Sequence, residues 1–184
     1  MLEGVCRQIR EWLKKGWKPF PISLNYSRKT ILEEDILEET NRIVESYRIP
    51  KELVEIEITE SISSIDRTSL KQIVHSFAEA GYKIAMDDYG AEYSNVYILY
   101  SLELNTLKLD RRLVDDIWRD RKARVVVENI IDVCSKLGIE CVAEGVETRE
   151  QLEVLKNMNC DIYQGYYINK PIPTDEFERL YIFR

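Results

Sequence analysis

Apolar residues recur along this chain with two alternating periods, one typical of helices and one typical of strands. Leu2, Val5, Ile9 and Trp12 form a stripe at helical spacing, which predicts a first helix that stops near Gly16. Short runs rich in apolar and β-branched residues follow, and further helical stripes separate them. We predict strands at PISLNYS (21–27), VEIEITE (54–60), KIAMDD (83–88), TLKLD (106–110), ECVAEG (140–145) and DIYQGYY (161–167).

The segments between these strands have helical spacing. Ile36, Leu37, Ile43, Val44 and Tyr47 define one apolar helix face, and the chain breaks at Pro50. Thr148 and Gln151 have the spacing of a capping box, and Thr174 is the predicted N-cap of a closing helix. The other predicted helices are SLKQIVHSFAEAG (69–81), SNVYILYSL (94–102), the stretch that includes Val126 to Leu137, and REQLEVLKNM (149–158).

The alternation of strands and helices predicts an α/β fold in which helices cover a parallel sheet. An open doubly wound sheet and a closed (β/α) barrel share this pattern, and both place functional groups at the carboxyl ends of strands. No Gly-x-Gly-x-x-Gly or phosphate-loop pattern follows the first strand, which weakens the nucleotide-binding alternative. No linker interrupts the alternation, so we expect one domain over residues 1–184.

Polar side chains stand at or near the end of every predicted strand. They are Asn25, Glu57, Glu60, Asp87, Asp88, Lys108, Glu144 and Gln164. Carboxylate and amide oxygens suit Mg²⁺, Mn²⁺ or Ca²⁺, and carboxylates brought together repel one another unless cations lie between them. Adjacent aspartates can bridge two ions, as in two-metal phosphoryl chemistry. The pattern therefore predicts that Asp87 and Asp88 are metal ligands.

A structural interpretation of the same residues stays open at this stage. An acidic residue after a strand is commonly a helix cap or part of a solvated loop, and Asp-Asp-Tyr-Gly alone is compatible with a turn. Glu55 and Glu57 could both face outward on an edge strand. The repetition of polar strand ends along one chain is what favours a functional site.

Composition limits the classes of partner. The formal net charge is −7, which argues against a nucleic acid polymer as ligand but leaves a small phosphate ligand open, since bound cations supply positive charge. The four cysteines form no Cys-x-x-Cys pair, and we expect reduced thiols in a cytoplasmic protein. No apolar run approaches the ~20 residues of a membrane span. The single histidine, His75, excludes a His-rich metal site.

Several long motifs in this sequence resemble the EAL-domain family of bacterial cyclic di-GMP phosphodiesterases. LNYS resembles the family's Asn-Leu-Ser strand end, IEITES its Glu-Leu-Thr-Glu-Ser segment, and DDYGAEYSN its Asp-Asp-Phe-Gly loop. TLKLDRRLV resembles the strand that carries the family's lysine, and VAEGVETREQLEVLKNMNCDIYQGYYINKPIP resembles its C-terminal signature. The resemblance implies a TIM-like (β/α) barrel and metal-dependent hydrolysis of cyclic di-GMP to the linear dinucleotide.

The resemblance also implies a role for each strand-end residue. Two divalent cations, Mg²⁺ or Mn²⁺, would be held by Asn25, Glu57, Asp87, Asp88 and Glu144. Lys108 and Glu144 would be the catalytic residues, with Lys108 orienting or activating the attacking water. Gln164 would contact the water or the metal shell. Glu60 would anchor the loop after Asp88, and Glu147 belongs to the same substrate-contacting or loop-anchoring group.

Two departures from the family pattern change the expectation. The Glu-Ala-Leu tripeptide is absent and a helix precedes the first strand, so we expect an incomplete barrel of about six parallel strands that lacks the first two. Open strand edges and an apolar interior at the gap would favour a homodimer or cover by another chain. Ala91 and Glu92 replace the usual Thr and Gly, which puts loop closure in doubt. Metal affinity and turnover are expected to be weak or absent.

Three functions remain open from the sequence. The first is a cyclic di-GMP phosphodiesterase domain. The second is a degenerate EAL-like module that binds cyclic di-GMP or a protein partner without cleavage. The third is an unrelated barrel enzyme, for example an aldolase with Lys108 as a Schiff-base lysine, although neighbouring carboxylates would raise the pKa of that lysine.

Overall fold

The computed structural model describes residues 1–17, 19–59, 66–91, 96–160 and 162–182. Strands and helices alternate along these residues as the spacing predicts. The strands are β1 (Ile22–Asn25), β2 (Val54–Thr59), β3 (Lys83–Tyr89), β4 (Thr106–Leu109), β5 (Glu140–Ala143) and β6 (Ile162–Tyr163). The helices are α1 (Leu2–Lys14), α2 (Arg28–Ile31), α3 (Ile36–Ser46), α4 (Arg67–Glu79), α5 (Val96–Ser101), α6 (Arg111–Val114), α7 (Arg121–Leu137), α8 (Arg149–Asn157) and α9 (Thr174–Phe177).

The six strands form a single parallel sheet in the order β1-β2-β3-β4-β5-β6, which is a half-barrel with helices. Each strand pairs with its neighbour in sequence, as the short crossover helices require. Within the described residues β1 and β6 are the two edges. This is the incomplete TIM-like (β/α) barrel of about six strands that the sequence predicts.

The outward face of the sheet builds the main core. Because side chains alternate along a strand, residues such as Ile56, Ile84 and Leu107 share one face and are buried under the helices. The helices contribute matching stripes, for example Cys6 and Ile9 on α1. The inward face carries polar residues, so the strands place their chemistry on the concave side.

Two sequence predictions near the C-terminus are wrong in detail. Of the predicted strand over 161–167, the structure describes residues 162–167, and among these only Ile162–Tyr163 is a strand. The chain then turns, with the N–H groups of Ile168 and Asn169 donating to the carbonyl oxygen of Gly165. Gly165 lies against the backbone of Val146, where a side chain would be 2.2 Å from the carbonyl oxygen. Thr174 is the first residue of α9 rather than its N-cap, which is Pro173. A π-helical segment over Glu178–Ile182 follows α9.

An apolar groove separates the two edges of the sheet. It has a volume of about 960 Å³ and lies between α1 and the segment after β6, with Trp12, Ile22, Tyr166, Ile168 and Phe177 in its lining. The expected apolar surface at the gap is therefore present, although the inward-facing strand residues themselves are largely polar. Among the described helices, none combines the length and the apolar character that a membrane crossing needs.

Candidate functional site

Three carboxylates meet at the carboxyl ends of β3 and β5, the two strands on either side of β4. Asp87 and Asp88 lie near the end of β3, and Glu144 directly follows β5. Oxygen atoms from these three side chains lie within 4.8 Å of one another. The backbone N–H of Glu144 donates to the carbonyl oxygen of Leu109 (3.2 Å), so the pairing of β4 with β5 continues one residue further and fixes the position of Glu144.

A β-bulge explains how two consecutive aspartates reach one site. In a regular strand, successive side chains point to opposite faces. Met86 pairs with Leu107 and Tyr89 with Leu109, so β3 has one residue more than β4 across this interval. Asp88 adopts a left-handed backbone conformation with φ of 57°, which breaks the alternation. The bulge therefore directs both carboxylates toward Glu144.

Lys108 lies among these carboxylates. Its Nζ atom is 2.8 Å from Oε1 of Glu144 and 3.2 Å from Oδ1 of Asp87, and it also donates a short hydrogen bond to Oε1 of Glu57. Only 13% of the Lys108 side chain is exposed. One ammonium group on β4 thus links carboxylates from β2, β3 and the end of β5.

Glu57 is the most deeply buried of these acids. It is 3% exposed, and its backbone carbonyl accepts a hydrogen bond from the N–H of Tyr26 (2.8 Å). Burial raises the pKa of Glu57 to about 7, the hydrogen bond from Lys108 opposes this rise, and the nearby Asp87 carboxylate adds to it. Desolvation therefore outweighs the ion pair at this position.

Burial and neighbouring charges also shift the pKa values of the other charged residues in the site. Burial raises the pKa values of Asp88 and Glu144 above their ordinary range; Asp87 adds to both effects, while Lys108 opposes them. Burial acts to lower the pKa of Lys108, but its hydrogen bonds to Glu144 and Glu57 outweigh this effect and the pKa is raised. The site therefore carries excess negative charge that one lysine only partly offsets.

The donor set fits a hard divalent cation. Asp87, Asp88 and Glu144 offer oxygen ligands only, which suits Mg²⁺, Mn²⁺ or Ca²⁺. Oδ1 of Asp87 is buried and, within the described residues, accepts no directed hydrogen bond, although the Lys108 ammonium lies 3.2 Å away. A buried carboxylate oxygen without a directed donor is a suitable position for a cation ligand.

Two further predicted residues, Asn25 and Gln164, lie at the ends of the two edge strands. Asn25 ends β1 in register with Glu57 and is exposed. Gln164 follows β6, where its N–H donates to the carbonyl oxygen of Ala143 (2.8 Å) and its side chain lines the groove. In the described part of the chain, neither side chain forms a hydrogen bond with Lys108. Their predicted roles stay predictions.

Glu147, in the segment after β5, forms an ion pair with Arg111. Its Oε1 is 2.9 Å from Nη1 of Arg111. Gly145 makes this arrangement possible, because its φ is 67° and a Cβ there would lie 2.5 Å from Cγ of Arg111. Arg111 was not identified from the sequence, since an arginine at a helix start carries no pattern of its own. Glu60, Glu92 and the loop around them lie outside the described residues.

The alternative that Glu55 and Glu57 face outward is wrong. Both lie on the inward face, and both are buried. Oε2 of Glu55 accepts a hydrogen bond from Ser23 (2.6 Å), and Oε1 accepts one from Thr106 (2.7 Å). Glu55 is not among the site residues predicted from the sequence, although its two-residue spacing from Glu57 indicates that both side chains share one face of β2.

Comparison with known proteins assigns the family. The sequence profile of the EAL domain matches residues 1–171. The chain belongs to the EAL domain family. This assignment excludes the unrelated barrel enzyme that was left open from the sequence, and it agrees with the motifs around Asp87, Asp88 and Glu144.

Individual relatives agree with this assignment. The cyclic di-GMP phosphodiesterase NbdA of Pseudomonas aeruginosa is 30% identical over 188 residues, which cover 100% of this chain and 24% of NbdA. The solved complex of the PaMucR phosphodiesterase with c-di-GMP superposes with a TM-score of 0.89 at 28% identity, covering 96% of this chain and 71% of that one. The EAL domain of Mycobacterium smegmatis DcpA has the same TM-score and identity, with 97% and 81% covered. The chain spans 22% to 34% of the length of the curated relatives it matches.

Proposed function

We propose that this chain is a cyclic di-GMP phosphodiesterase domain, with low turnover, that hydrolyses its substrate to the linear dinucleotide. The observation that carries the proposal is the position of Lys108 among the carboxylates of Glu57, Asp87 and Glu144, with Asp88 beside them, in a chain of the EAL domain family. Relatives named as cyclic di-GMP phosphodiesterases support the choice of substrate.

The acidic residues would hold Mg²⁺ or Mn²⁺. Asp87, Asp88 and Glu144 are the core of this ligand set, and Glu57 and Asn25 would complete it from β2 and β1. When bound, such a cation makes water a better nucleophile at neutral pH and offsets the negative charge of a phosphodiester. The protein's part is to keep these oxygens close together despite their mutual repulsion.

Lys108 and Glu144 are the proposed catalytic residues. The ammonium of Lys108 donates hydrogen bonds and carries a positive charge at the centre of the cluster. It is therefore suited to orient the attacking water and to stabilise negative charge that develops on the phosphoryl oxygens. Glu144 accepts from Lys108 at 2.8 Å and holds the lysine in that orientation.

Three further residues are proposed to support substrate binding. Gln164 would contact the water or the cation shell from the end of β6. Glu147, held by Arg111, would fix the segment after β5 beside the substrate. Glu60 would anchor the loop that follows Asp88, as the family resemblance implies. Alanine variants of these residues should weaken substrate binding more than cation binding.

The direct test is product analysis with the purified 184-residue chain. Cyclic di-GMP is incubated with Mg²⁺ or Mn²⁺ and the products are separated by chromatography with mass detection. We expect linear dinucleotide from the wild type and none above background from Asp87→Asn or Lys108→Met. An exposed charge variant, Asp132→Asn on α7, is the matched control and should behave like the wild type.

Calorimetric titration with cyclic di-GMP in Ca²⁺ separates the two candidate functions. Binding together with conversion in Mg²⁺ or Mn²⁺ supports the phosphodiesterase. Binding without conversion contradicts it and favours the degenerate module that binds the dinucleotide as a receptor. The absence of both binding and conversion contradicts the phosphodiesterase and the dinucleotide receptor, and favours a degenerate module that binds a protein partner.

We also propose that a second copy of this chain covers the groove between β1 and β6. Its lining includes Tyr166 and Ile168, which are 60% and 52% exposed, and apolar surface of this kind favours association. Sedimentation equilibrium should find a dimer that Ile168→Asp weakens. Val126→Asp, at an apolar side chain on α7 that is 49% exposed, is the control and should remain dimeric. A monomeric wild type, or loss of the dimer only in the control, would contradict this interface.

We propose a cytoplasmic location because the cysteines form no disulfide bonds among the described residues. Cys6, Cys134, Cys141 and Cys160 are all free and buried, which suits a reducing compartment. Free-thiol titration of the unfolded chain, purified without reductant from its native source, should find four reactive thiols. Recovery of disulfides in that sample would contradict the location.

A further inference from the structure

A second buried carboxylate lies on the concave face, one layer below the candidate site. Glu55 is 7% exposed, and both of its oxygens accept hydrogen bonds, one from Ser23 on β1 and one from Thr106 on β4. Its two partners are neutral hydroxyl groups, so the carboxylate is satisfied by hydrogen bonds and not by an ion pair with either of them. This single side chain therefore connects three strands.

The connection from β2 to β4 crosses the strand between them at a small residue. Ala85 on β3 is in register with Glu57 on one side and with Thr106 on the other. Its methyl group leaves room for side chains from β2 to reach β4 over the inward face. The Glu55–Thr106 hydrogen bond and the Glu57–Lys108 ion pair are two such bridges, each starting from β2 and separated by two residues on both strands.

Fold stability alone does not account for an acid at this position. Removing a carboxylate from water costs free energy that hydrogen bonds only partly return, and a well-packed apolar replacement is often equally stable. The carboxylate instead fixes the relative positions of three strands, because one oxygen is bonded to β1 and the other to β4 while the side chain itself belongs to β2. Those positions decide whether Glu57 meets Lys108 in the layer above.

We propose that Glu55 is a positioning residue for the cation site. Through Ser23 and Thr106 it holds β1, β2 and β4 at the spacing that brings Glu57 to Lys108 and Asp87. The inference rests on the proposed function in one respect, namely that the acidic cluster binds Mg²⁺ or Mn²⁺. Partners that orient ligands from outside the ligand set commonly contribute 10- to 100-fold to metal affinity.

The test measures Mn²⁺ affinity by electron paramagnetic resonance of the free ion, alongside thermal unfolding of the same samples. We expect Glu55→Gln to weaken Mn²⁺ binding by about tenfold, since an amide accepts through only one of its two positions. Thr106→Val should weaken Mn²⁺ binding similarly, whereas Thr106→Ser keeps the hydroxyl and should retain wild-type affinity. Ile56→Val, in the core beside Glu55, controls for general loss of stability and should leave Mn²⁺ affinity unchanged.

The possible outcomes separate this inference from the proposed function. If the wild type does not bind Mn²⁺, the proposed cation site is wrong, and the positioning role of Glu55 is contradicted as well. If the wild type binds Mn²⁺ and Glu55→Gln and Thr106→Val bind it equally well, only the positioning role is overturned. If Glu55→Gln fails to fold, the Thr106→Val and Thr106→Ser pair decides the question. If Ile56→Val loses as much Mn²⁺ affinity as Glu55→Gln, the effect is one of general stability and the proposal is overturned.

Discussion

Lys108 and Glu144 form a 2.8 Å ion pair between β4 and the residue that follows β5. The two side chains are only 13% and 17% exposed, so solvent screens the pair weakly. Lys108 also contacts Glu57 and Asp87. Because one ammonium serves three carboxylates, the stability of this part of the fold depends on that single positive charge.

Replacement of this charge should reduce stability in the absence of divalent cations. Lys108→Met leaves three carboxylates close together without a counter-charge, and breaking a buried ion pair costs about 3 kcal/mol or more. Urea unfolding in the presence of a chelator measures the loss, and saturating Mn²⁺ should recover part of it.

Lys136→Met is the matched control for this change. Lys136 pairs with Asp132 on the surface of α7, where the two side chains are 72% and 55% exposed. Loss of this surface ion pair should lower the free energy of unfolding by less than about 1 kcal/mol. Equal losses in the two variants would show that the central lysine has no special role in stability.

Asp88 combines a proposed ligand role with an unusual backbone conformation. Its φ of 57° lies in the left-handed region, which asparagine tolerates well and alanine does not. Asp88→Asn should therefore unfold within about 0.5 kcal/mol of the wild type, whereas Asp88→Ala should be about 1 kcal/mol less stable. Both variants should bind Mn²⁺ more weakly. Wild-type Mn²⁺ affinity in Asp88→Asn would argue against Asp88 as a ligand.

His75, the single histidine, should titrate above its ordinary range. A 2.6 Å hydrogen bond from its Nδ1 to Glu103, the charge of Glu103 and the charge of Glu79 raise its pKa above 6.5. Since the folded pKa is the higher one, the stabilisation is complete below pH 6.5 and is lost as the pH rises through the folded pKa.

The pKa of His75 is measured by NMR on its one imidazole signal. Glu103→Gln should lower this pKa more than Glu79→Gln, because the Glu79 oxygen is 3.5 Å from Nε2. A wild-type pKa at or below 6.5, or a larger decrease in Glu79→Gln, would contradict the assignment of Glu103 as the main partner.

The capping box of α8 should contribute measurably to stability. Oγ1 of Thr148 accepts from the N–H of Gln151, and the Gln151 side chain accepts from the N–H groups of Thr148 and Glu147. Thr148→Ala should cost about 1 kcal/mol in chemical unfolding, while Thr148→Ser keeps the acceptor and should cost a few tenths at most. A similar loss in both variants would assign the effect to the missing methyl group.

Sequence alone determined what depends on local periodicity and chemistry. Strand spacing and helical stripes were sufficient for a parallel sheet covered by helices, and the Thr148–Gln151 pattern for the capping box, because these features arise among residues close in the chain. The choice of an incomplete barrel over an open sheet came from the resemblance to the EAL-domain family. The oxygen-rich strand ends around Asp87 also identified the candidate site. They did so because parallel strands bring their carboxyl ends to one edge of a sheet.

Tertiary structure decided what depends on contacts between distant residues. The bulge that turns Asp88 toward Glu144 comes from the offset between β3 and β4, and the hydrogen bonds of Glu55 come from Ser23 and Thr106 on other strands. The close approach of Gly165 to the backbone of Val146, which leaves no room for a side chain, also joins two separate segments. None of these follows from local propensity, since each is set by how closely two separate segments approach.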